Sequence, residues 1–441
     1  MLFTPGKYFQ NGIVVCGLAA LAVSGAALAQ STERASLSSA EIEGNGFTAN
    51  AAISGDGRFV VFESSATNLV ANDTNAVDDI FLRDRLLGTT VRISVGAGGI
   101  EANGWSANPV ISRDGRYIAY ESAATNLVST ANNGPYHIFR YDTLAGTTVH
   151  VSKSTAGVQG NGSSRLPSIS NDGRFVSFTS LATNLVAGDT NARPDVFRRD
   201  VVSNITIRVN VTNAGAQGNN TETRSENATS SISGDGRYVL FRSNASNLVA
   251  GDTNATDDLF VRDCTGLTTK RVSVTNAGAQ ANSPSYMGAI SADGRYVVFS
   301  SLATNLVAGD TNIAEDVFVR DRTLNTTTRV SVSSSGVQTP TSELGSTSPS
   351  ISDDGRYVAF TSYAPNLVAG DTNGVSDIFV RDRTTNTTTR ESVSTTGTQG
   401  DDYCQLGKIS ANGLFLSFIS GSTNLVTGDT NGTDDAFVRV R

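Results

Sequence analysis

The chain has 441 residues, a formal net charge of −8 at neutral pH, three cysteines and two histidines. An acidic balance of this kind leaves no basic stripe, which excludes nucleic acid and anionic membrane surfaces as expected partners. Three cysteines in a chain of this length also exclude a scaffold built on disulfides.

The first predicted element is a secretory signal peptide over residues 1–29. Lys7 precedes an apolar run from Ile13 to Leu28, and small residues surround the cleavage point before Gln30. A positive start, a short apolar run and a small-residue cleavage site are typical of a Sec-type signal rather than a membrane anchor. We therefore expect a mature chain of residues 30–441, periplasmic or extracellular in a bacterium, with no membrane insertion after cleavage.

One phrase, Ile-Ser-x-x-Gly, then recurs throughout the chain. Successive copies are 58 residues apart, except after the third and fifth copies, where the spacing is 63 and 61. A fixed period of this length indicates repeated supersecondary units that together form a single domain, residues 30–441. The copies begin at Ile53, Ile111, Ile169, Ile232, Ile290, Ile351 and Ile409.

The fifth copy shows what one period contains. After Ile290 an Asp-Gly turn leads into Tyr296–Phe299, which has no polar face and must be buried on both sides. A long loop precedes a third strand over Val317–Asp321, and a turn precedes Thr328–Val332, whose alternation suits a half-exposed outer strand. Four antiparallel strands per repeat predict an all-β fold, a seven-bladed β-propeller.

The two ends of the chain complete each other in this prediction. The seventh copy stops after its third strand, and Glu33–Gly46 aligns with Lys270–Asn282, a fourth strand with its following turn. We expect residues 34–37 to pair with residues 436–440, which closes the ring and removes an open sheet edge. A closed ring of this kind predicts a monomer.

The repeat resembles that of a known group of proteins. The segments Ser233–Phe241 and Ser352–Phe360, followed by Asp-Leu-Phe-Val-Arg-Asp or Asp-Ile-Phe-Val-Arg-Asp, resemble the propeller repeat of TolB-type and related WD-repeat-like proteins. The resemblance covers all seven repeats and implies a periplasmic or secreted protein whose propeller binds another protein or a polymer. TolB itself has six blades and a separate α/β domain, so its role is not carried over to this chain.

The loop between the second and third strands is the first candidate site. Six of the seven loops place a carboxylate, an amide and a carboxylate at positions one, three and seven. Alternating oxygen ligands suit calcium, but the same residues also cap their own turns, so a purely structural loop stays open as an alternative. The residues are Asp73, Asn75, Asp79, Asp189, Asn191, Asp195, Asp252, Asn254, Asp258, Asp310, Asn312, Asp316, Asp371, Asn373, Asp377, Asp429, Asn431 and Asp435.

The second repeat departs from that pattern and is the second candidate site. It has Ala131 and His137 where the other loops have aspartate, and the only tryptophan, Trp105, lies in the turn that enters the same blade. Such loops and turns emerge on one face of a propeller. Trp105, Tyr136 and His137 are therefore predicted to form an aromatic platform for a sugar or a peptide, with drift in one blade as the alternative.

The arginine of the Asp-Gly-Arg phrase is a repeated feature and not a singular one. Its recurrence predicts ion pairing between blades rather than catalysis. The positions are Arg58, Arg116, Arg174, Arg237, Arg295 and Arg356.

No catalytic residues are predicted. With only two histidines, a Ser-His-Asp arrangement has no support from spacing, and the repeated carboxylates single out no acid or nucleophile. We predict a non-catalytic binding protein with a protein or polysaccharide partner on the loop face and with calcium as the one candidate cofactor. A carbohydrate-active propeller enzyme, either a glycosidase or a lyase, and a purely structural surface module are the alternatives.

Overall fold

The computed structural model describes residues 29–129, 136–220, 230–340 and 345–441. Within these residues the chain forms seven four-stranded antiparallel sheets, which confirms the predicted propeller. The predicted signal peptide lies outside the described residues except for Ala29. The described part of the chain contains no helix of the length and apolarity that crossing a bilayer requires.

Each blade begins with an inner strand at the central channel and ends with an outer strand at the rim. A short 3₁₀ turn, Ala97–Gly99, is the one helical element among the described residues. The strands are β1 Ser31–Arg34, β2 Thr48–Ile53, β3 Phe59–Ser64, β4 Asp79–Asp84, β5 Thr89–Arg92, β6 Ser106–Ile111, β7 Tyr117–Ser122, β8 His137–Asp142, β9 Thr147–His150, β10 Ser164–Ile169, β11 Phe175–Ser180, β12 Asp195–Asp200, β13 Ile205–Arg208, β14 Ser230–Ile232, β15 Tyr238–Ser243, β16 Asp258–Asp263, β17 Thr268–Arg271, β18 Ser285–Ile290, β19 Tyr296–Ser301, β20 Asp316–Asp321, β21 Thr326–Arg329, β22 Ser346–Ile351, β23 Tyr357–Ser362, β24 Asp377–Asp382, β25 Thr387–Arg390, β26 Cys404–Ile409, β27 Phe415–Ser420 and β28 Asp435–Val440.

Strand β1 completes the last blade by pairing with β28, so the predicted ring closure is confirmed. Its boundaries differ from the prediction, because the paired residues are Ser31–Arg34 with Phe437–Val440 rather than residues 34–37. Leu37 lies beyond the strand and bridges to Glu43 in the connection to the first blade.

The hydrophobic core lies between neighbouring blades. One cluster joins Leu240 and Val261 of the fourth blade to Val297 and Phe299 of the fifth. Phe299 also stacks on Phe318 of the adjacent strand, with ring centroids 5.8 Å apart. The middle strands are thus buried on both faces, as their apolar sequences predicted, and burial of this kind is the main stabilising contribution.

The outer strand of the fifth blade ends earlier than predicted. Strand β21 stops at Arg329, and Ser331, expected on a half-exposed strand, is fully buried. Its hydroxyl donates a hydrogen bond to Asp316 Oδ1 over 2.5 Å. The alternation of Val330, Ser331 and Val332 therefore belongs to the connection to the next blade, not to the sheet.

Each Asp-Gly turn packs against an aromatic ring of the preceding blade. Gly294 has a φ of +71°, and a Cβ there would lie 2.2 Å from Cδ2 of Tyr238. Guanidinium groups of Arg237 and Arg322 lie 4.8 and 4.5 Å from the centroid of the same ring. Glycine is thus required both by the positive φ and by the close approach of the ring, and cation–π contacts hold that ring in place.

The predicted ion pairing between blades is wrong for the Asp-Gly-Arg arginines. Arg295 Nη2 lies 2.7 Å from Asp321 Oδ2, and both residues belong to the fifth blade. The reason is register, because Tyr296 pairs directly with Asp321 across adjacent strands. It is the neighbouring Arg320 that links blades, by donating to the Thr275 carbonyl of the incoming connection over 3.1 Å.

Candidate functional site

In the fourth blade an arginine lies between the two aspartates of the acidic loop. Arg271 Nη1 is 3.2 Å from Asp252 Oδ1 and 3.1 Å from Asp258 Oδ2, and the Asp258 side chain is fully buried. Asn254 turns its nitrogen toward the pair and donates to Asp258 Oδ2 over 3.0 Å. The guanidinium therefore occupies the space between the two carboxylates that calcium was predicted to fill.

The same arrangement, which we call the arginine brace, recurs in six blades. The amide at position three donates in each case to a carbonyl of the connection to the next blade. Carboxylates paired in this way need no metal to satisfy them, while the calcium prediction itself stays a prediction. The braces join Arg92 to Asp73 and Asp79, Arg208 to Asp189 and Asp195, Arg271 to Asp252 and Asp258, Arg329 to Asp310 and Asp316, Arg390 to Asp371 and Asp377, and Arg34 to Asp429 and Asp435.

The first and seventh blades differ from the other braced blades by a third carboxylate on the arginine, Glu101 on Arg92 and Glu43 on Arg34. Oxygen atoms of Asp73, Asp79 and Glu101 lie within 4.8 Å of one another, a grouping found nowhere else in the described ranges. Arg92 Nη1 is 3.1 Å from Glu101, and burial together with the charge of Asp79 raises the pKa of Asp73 to about 6. Three carboxylates against one guanidinium leave negative charge in excess, and in the first blade their oxygens also lie close together, so this is the acidic loop best suited to a cation.

The second blade replaces the brace with two histidines. The His137 and His150 rings are 4.7 Å apart in an edge-to-face arrangement, and each ring lies within hydrogen-bond distance of the Ser152 hydroxyl. Burial lowers the pKa of His137 to about 4 and is the largest factor lowering that of His150 to about 3. Both rings are therefore neutral at physiological pH.

The structure brings together two of the three predicted platform residues. The Trp105 and Tyr136 rings meet edge to face with centroids 5.6 Å apart. The indole nitrogen of Trp105 donates to Asp78 Oδ2 over 2.5 Å, which fixes the ring orientation. His137 is fully buried inside its blade and lies apart from this pair of rings.

Two charged residues that sequence reasoning missed complete this group, Arg165 of the third blade and Glu121 of the second. The Arg165 guanidinium lies 3.8 Å above the centroid of Tyr136 and 3.5 Å from Glu121. Glu121 is fully buried, and its other oxygen accepts the Leu166 N–H over 2.7 Å. Leu166 lines the central channel, so we call Asp78, Trp105, Tyr136, Arg165 and Glu121 together the mouth cluster.

The complete mouth cluster does not recur in the repeats, although Glu63 matches Glu121 and Asp257 and Asp434 match Asp78. Arg165 occupies an inner-strand position that is alanine in the first two blades, and Glu121 occupies a position that is threonine in the third and sixth. A smaller related group lies in the fourth and fifth blades, where Arg242 pairs with Asp257 over 2.6 Å and lies 5.2 Å from the Tyr286 ring. Both groups are visible in the sequence through their arginines, which stand at positions where most other repeats have uncharged residues.

Comparisons with known proteins show the fold alone. No family model and no curated protein matches the sequence. An oligogalacturonate lyase from Vibrio parahaemolyticus is similar over 94% of this chain and 97% of that one, with 10% identity and a TM-score of 0.50. A prolyl endopeptidase matches 90% of this chain with 10% identity and a TM-score of 0.52, and this chain spans 50% of it. TolB from Acinetobacter baumannii matches over 90% of this chain and 79% of that one, with 13% identity and a TM-score of 0.39. This chain is a β-propeller.

Proposed function

We propose that this chain is a non-catalytic binding propeller, secreted or periplasmic, that holds a polysaccharide segment at its mouth cluster. The observation that supports the proposal is the convergence of residues from three blades at one place on the loop face. Three of them, Trp105, Tyr136 and Arg165, have no identical counterpart in the other repeats. A repeating scaffold needs no such convergence for its own stability, whereas a specific binding site does.

The chemistry of the cluster suits a sugar. Trp105 and Tyr136 offer aromatic surface, and the Arg165 side chain is 26% exposed beside them. Sugars are typically bound by aromatic rings together with a few fixed polar groups. Asp78 and Glu121 hold the indole and the guanidinium in place before a ligand arrives, which reduces the entropy lost on binding.

The binding experiment uses purified residues 30–441 and a panel of soluble neutral and acidic polysaccharides, polygalacturonate among them, measured by affinity electrophoresis and calorimetry. Trp105→Ala and Tyr136→Ala should weaken binding at least about tenfold, since a ring at a binding centre contributes on the order of 2 kcal/mol. Tyr363→Ala is the matched control, because Tyr363 is 48% exposed and lies outside the mouth cluster.

Two outcomes would overturn the proposal. If both mouth variants bind a polysaccharide as tightly as the wild type does, the cluster is not the site. If the wild type binds no polysaccharide of the panel but binds peptides from a library, and Trp105→Ala abolishes the peptide binding, the partner is a protein and not a polysaccharide.

A carbohydrate-active enzyme, a glycosidase or a lyase, is the second candidate function. Burial raises the pKa of the carboxyl groups of Glu63 and Glu315. A carboxyl group with a raised pKa is what a general acid requires. The test is release of reducing ends or unsaturated products when the wild type is incubated with the same polysaccharides. Glu63→Gln should abolish that release. Polysaccharides that remain intact in the presence of the wild type would count against catalysis.

The proposal includes a calcium ion at the first blade, where Asp73, Asp79 and Glu101 converge. There it would stabilise the loop that carries Asp78 into the mouth cluster. The melting temperature with and without calcium tests this assignment.

A further inference from the structure

The central channel between the inner strands is a cavity of about 360 Å³. Val110, Ile169 and Leu406 are among the apolar residues of its wall. The serines of the wall are already engaged with backbone groups; for example, the Ser350 hydroxyl donates to the Gly407 carbonyl over 2.9 Å and accepts from a neighbouring N–H. The wall of the channel is therefore mainly apolar.

Lys408 is the one charged residue among those that line this cavity. The other inner strands carry small or apolar residues at its position, namely Ala52, Val110, Ser168, Ser231, Ala289 and Ser350. Across the described residues no carboxylate lies within ion-pair distance of its ammonium group, and burial alone lowers the pKa of Lys408. A cation in an apolar cavity without a counter-charge costs free energy, and a bound anion would reduce that cost.

The end of the channel at the Asp-Gly turns is crossed by an ion pair. Arg113 Nη1 of the second blade lies 2.7 Å from Asp353 Oδ2 of the sixth, on the far side of the ring. Gly55 makes room for this crossing, because a Cβ there would lie 2.5 Å from Cγ of Arg113. The two charges compensate each other and leave Lys408 unpaired.

We propose that the channel is a binding site for a small organic carboxylate, with Lys408 as the partner of the carboxylate and the apolar wall in contact with the rest of the ligand. The single ammonium group matches a single negative charge, and the burial of hydrocarbon against Val110, Ile169 and Leu406 supplies the remaining affinity. This site is separate from the mouth cluster, so either can fail while the other stands.

Calorimetry with hexanoate as the probe tests the proposal on purified residues 30–441. We expect saturable one-to-one binding of hexanoate, and binding at least about tenfold weaker for hexan-1-ol, which lacks the charge, and for phosphate, which lacks the apolar body. Lys408→Met should lose at least that factor, and Lys408→Arg should retain most of the affinity. Lys270→Met is the matched control, because Lys270 is exposed on an outer strand and should leave binding unchanged.

The melting temperature of each variant shows that the fold is intact. Lys408→Met removes an unpaired charge from the channel wall, so its melting temperature should equal or exceed that of the wild type. Absence of hexanoate binding to the wild type at millimolar concentration, or equal affinity for a folded Lys408→Met variant, would overturn the proposal. Phosphate binding as tight as hexanoate binding would overturn the assigned class of ligand.

Discussion

His150 faces His137 in the second blade at the two positions where the other blades place an arginine opposite an aspartate. The rings are 4.7 Å apart, whereas Arg271 lies 3.1 Å from Asp258 in the fourth blade. A neutral, ring-on-ring contact thus replaces a buried ion pair at the same site of the same fold. Both members differ together, since an arginine opposite a histidine would leave a buried charge without its partner.

This pair predicts a loss of stability in acid. Burial lowers the pKa of His137 to about 4 and, together with the nearby charge of His137, lowers that of His150 to about 3. In the unfolded chain the pKa of a histidine is about 6.5. The unfolded state therefore binds more protons below neutral pH, and the stabilisation present at pH 7 falls as the pH drops toward the folded values. Urea unfolding at about pH 7.5 and about pH 5 should show a loss of roughly 1–2 kcal/mol per histidine.

The double variant His137→Asp with His150→Arg gives the second blade the arginine and the second aspartate of the brace, while Ala131 still stands where the other six loops have their first aspartate. It should unfold with a weaker acid dependence than the wild type, because the two buried imidazoles are gone. His150→Arg alone should be less stable than either, since its guanidinium has no carboxylate partner. An acid dependence unchanged in the double variant would show that carboxylates, not these histidines, set it.

Gly294 and Gly309 separate two costs of replacing glycine. Both have a positive φ, +71° and +75°, but a Cβ at Gly294 collides with Tyr238 whereas a Cβ at Gly309 meets nothing within 4 Å. Gly309→Ala should cost about 1–2 kcal/mol from backbone conformation alone. Gly294→Ala should cost roughly 2 kcal/mol more, because the ring between two blades must move. Equal losses in urea unfolding would contradict the role of the ring.

The fold was predictable because each repeat contains its own evidence. Apolar runs such as Tyr296–Phe299, the Asp-Gly turns and the missing outer strand of the last blade are local signals, and they lead directly to a closed propeller. The two errors of boundary share one cause. Val330 and Val332 continue an alternating pattern beyond β21 and are buried by the connection instead of by strand pairing, and the chain after β1 behaves in the same way.

The site was less predictable because its contacts join distant parts of the chain. The arginine of each brace stands at a constant spacing after its aspartates, so its presence was visible in the sequence, but its position between them was not. Arg165 and Asp78 belong to different blades and meet around Tyr136 only when the ring closes. His137 shares a loop with Tyr136, yet strand alternation turns its side chain into the blade.

Loss of one brace should be costly. Arg271→Met leaves Asp252 and Asp258 without a cation in a place where the Asp258 side chain is fully buried, and removing one partner of a buried pair typically costs about 3–5 kcal/mol. Burial already raises the pKa of Asp252, so its protonation would relieve part of that loss, and the variant should recover stability relative to the wild type at about pH 5.

Arg237→Met is the control for that experiment in the same blade. Its guanidinium also pairs with an aspartate, Asp263, but the side chain is 43% exposed. Water screens such a pair, so the change in the free energy of unfolding should be much smaller. Comparable losses for the two variants, measured in urea, would mean that the brace contributes no more than a surface ion pair.

The last prediction concerns calcium at the first blade. Asp73, Asp79 and Glu101 outnumber the one guanidinium between them, so millimolar calcium should raise the melting temperature of the wild type relative to the protein in chelator, by linkage to folded-state binding. Glu101→Gln gives this loop the glutamine that Gln280 provides in the fourth blade, and it should reduce the shift. Asp258→Asn in the fourth blade should reduce it less, because that loop has one carboxylate fewer against its guanidinium. If calcium leaves the wild-type melting temperature unchanged, the acidic loops are structural, and their aspartates serve to pair with the arginine of each brace.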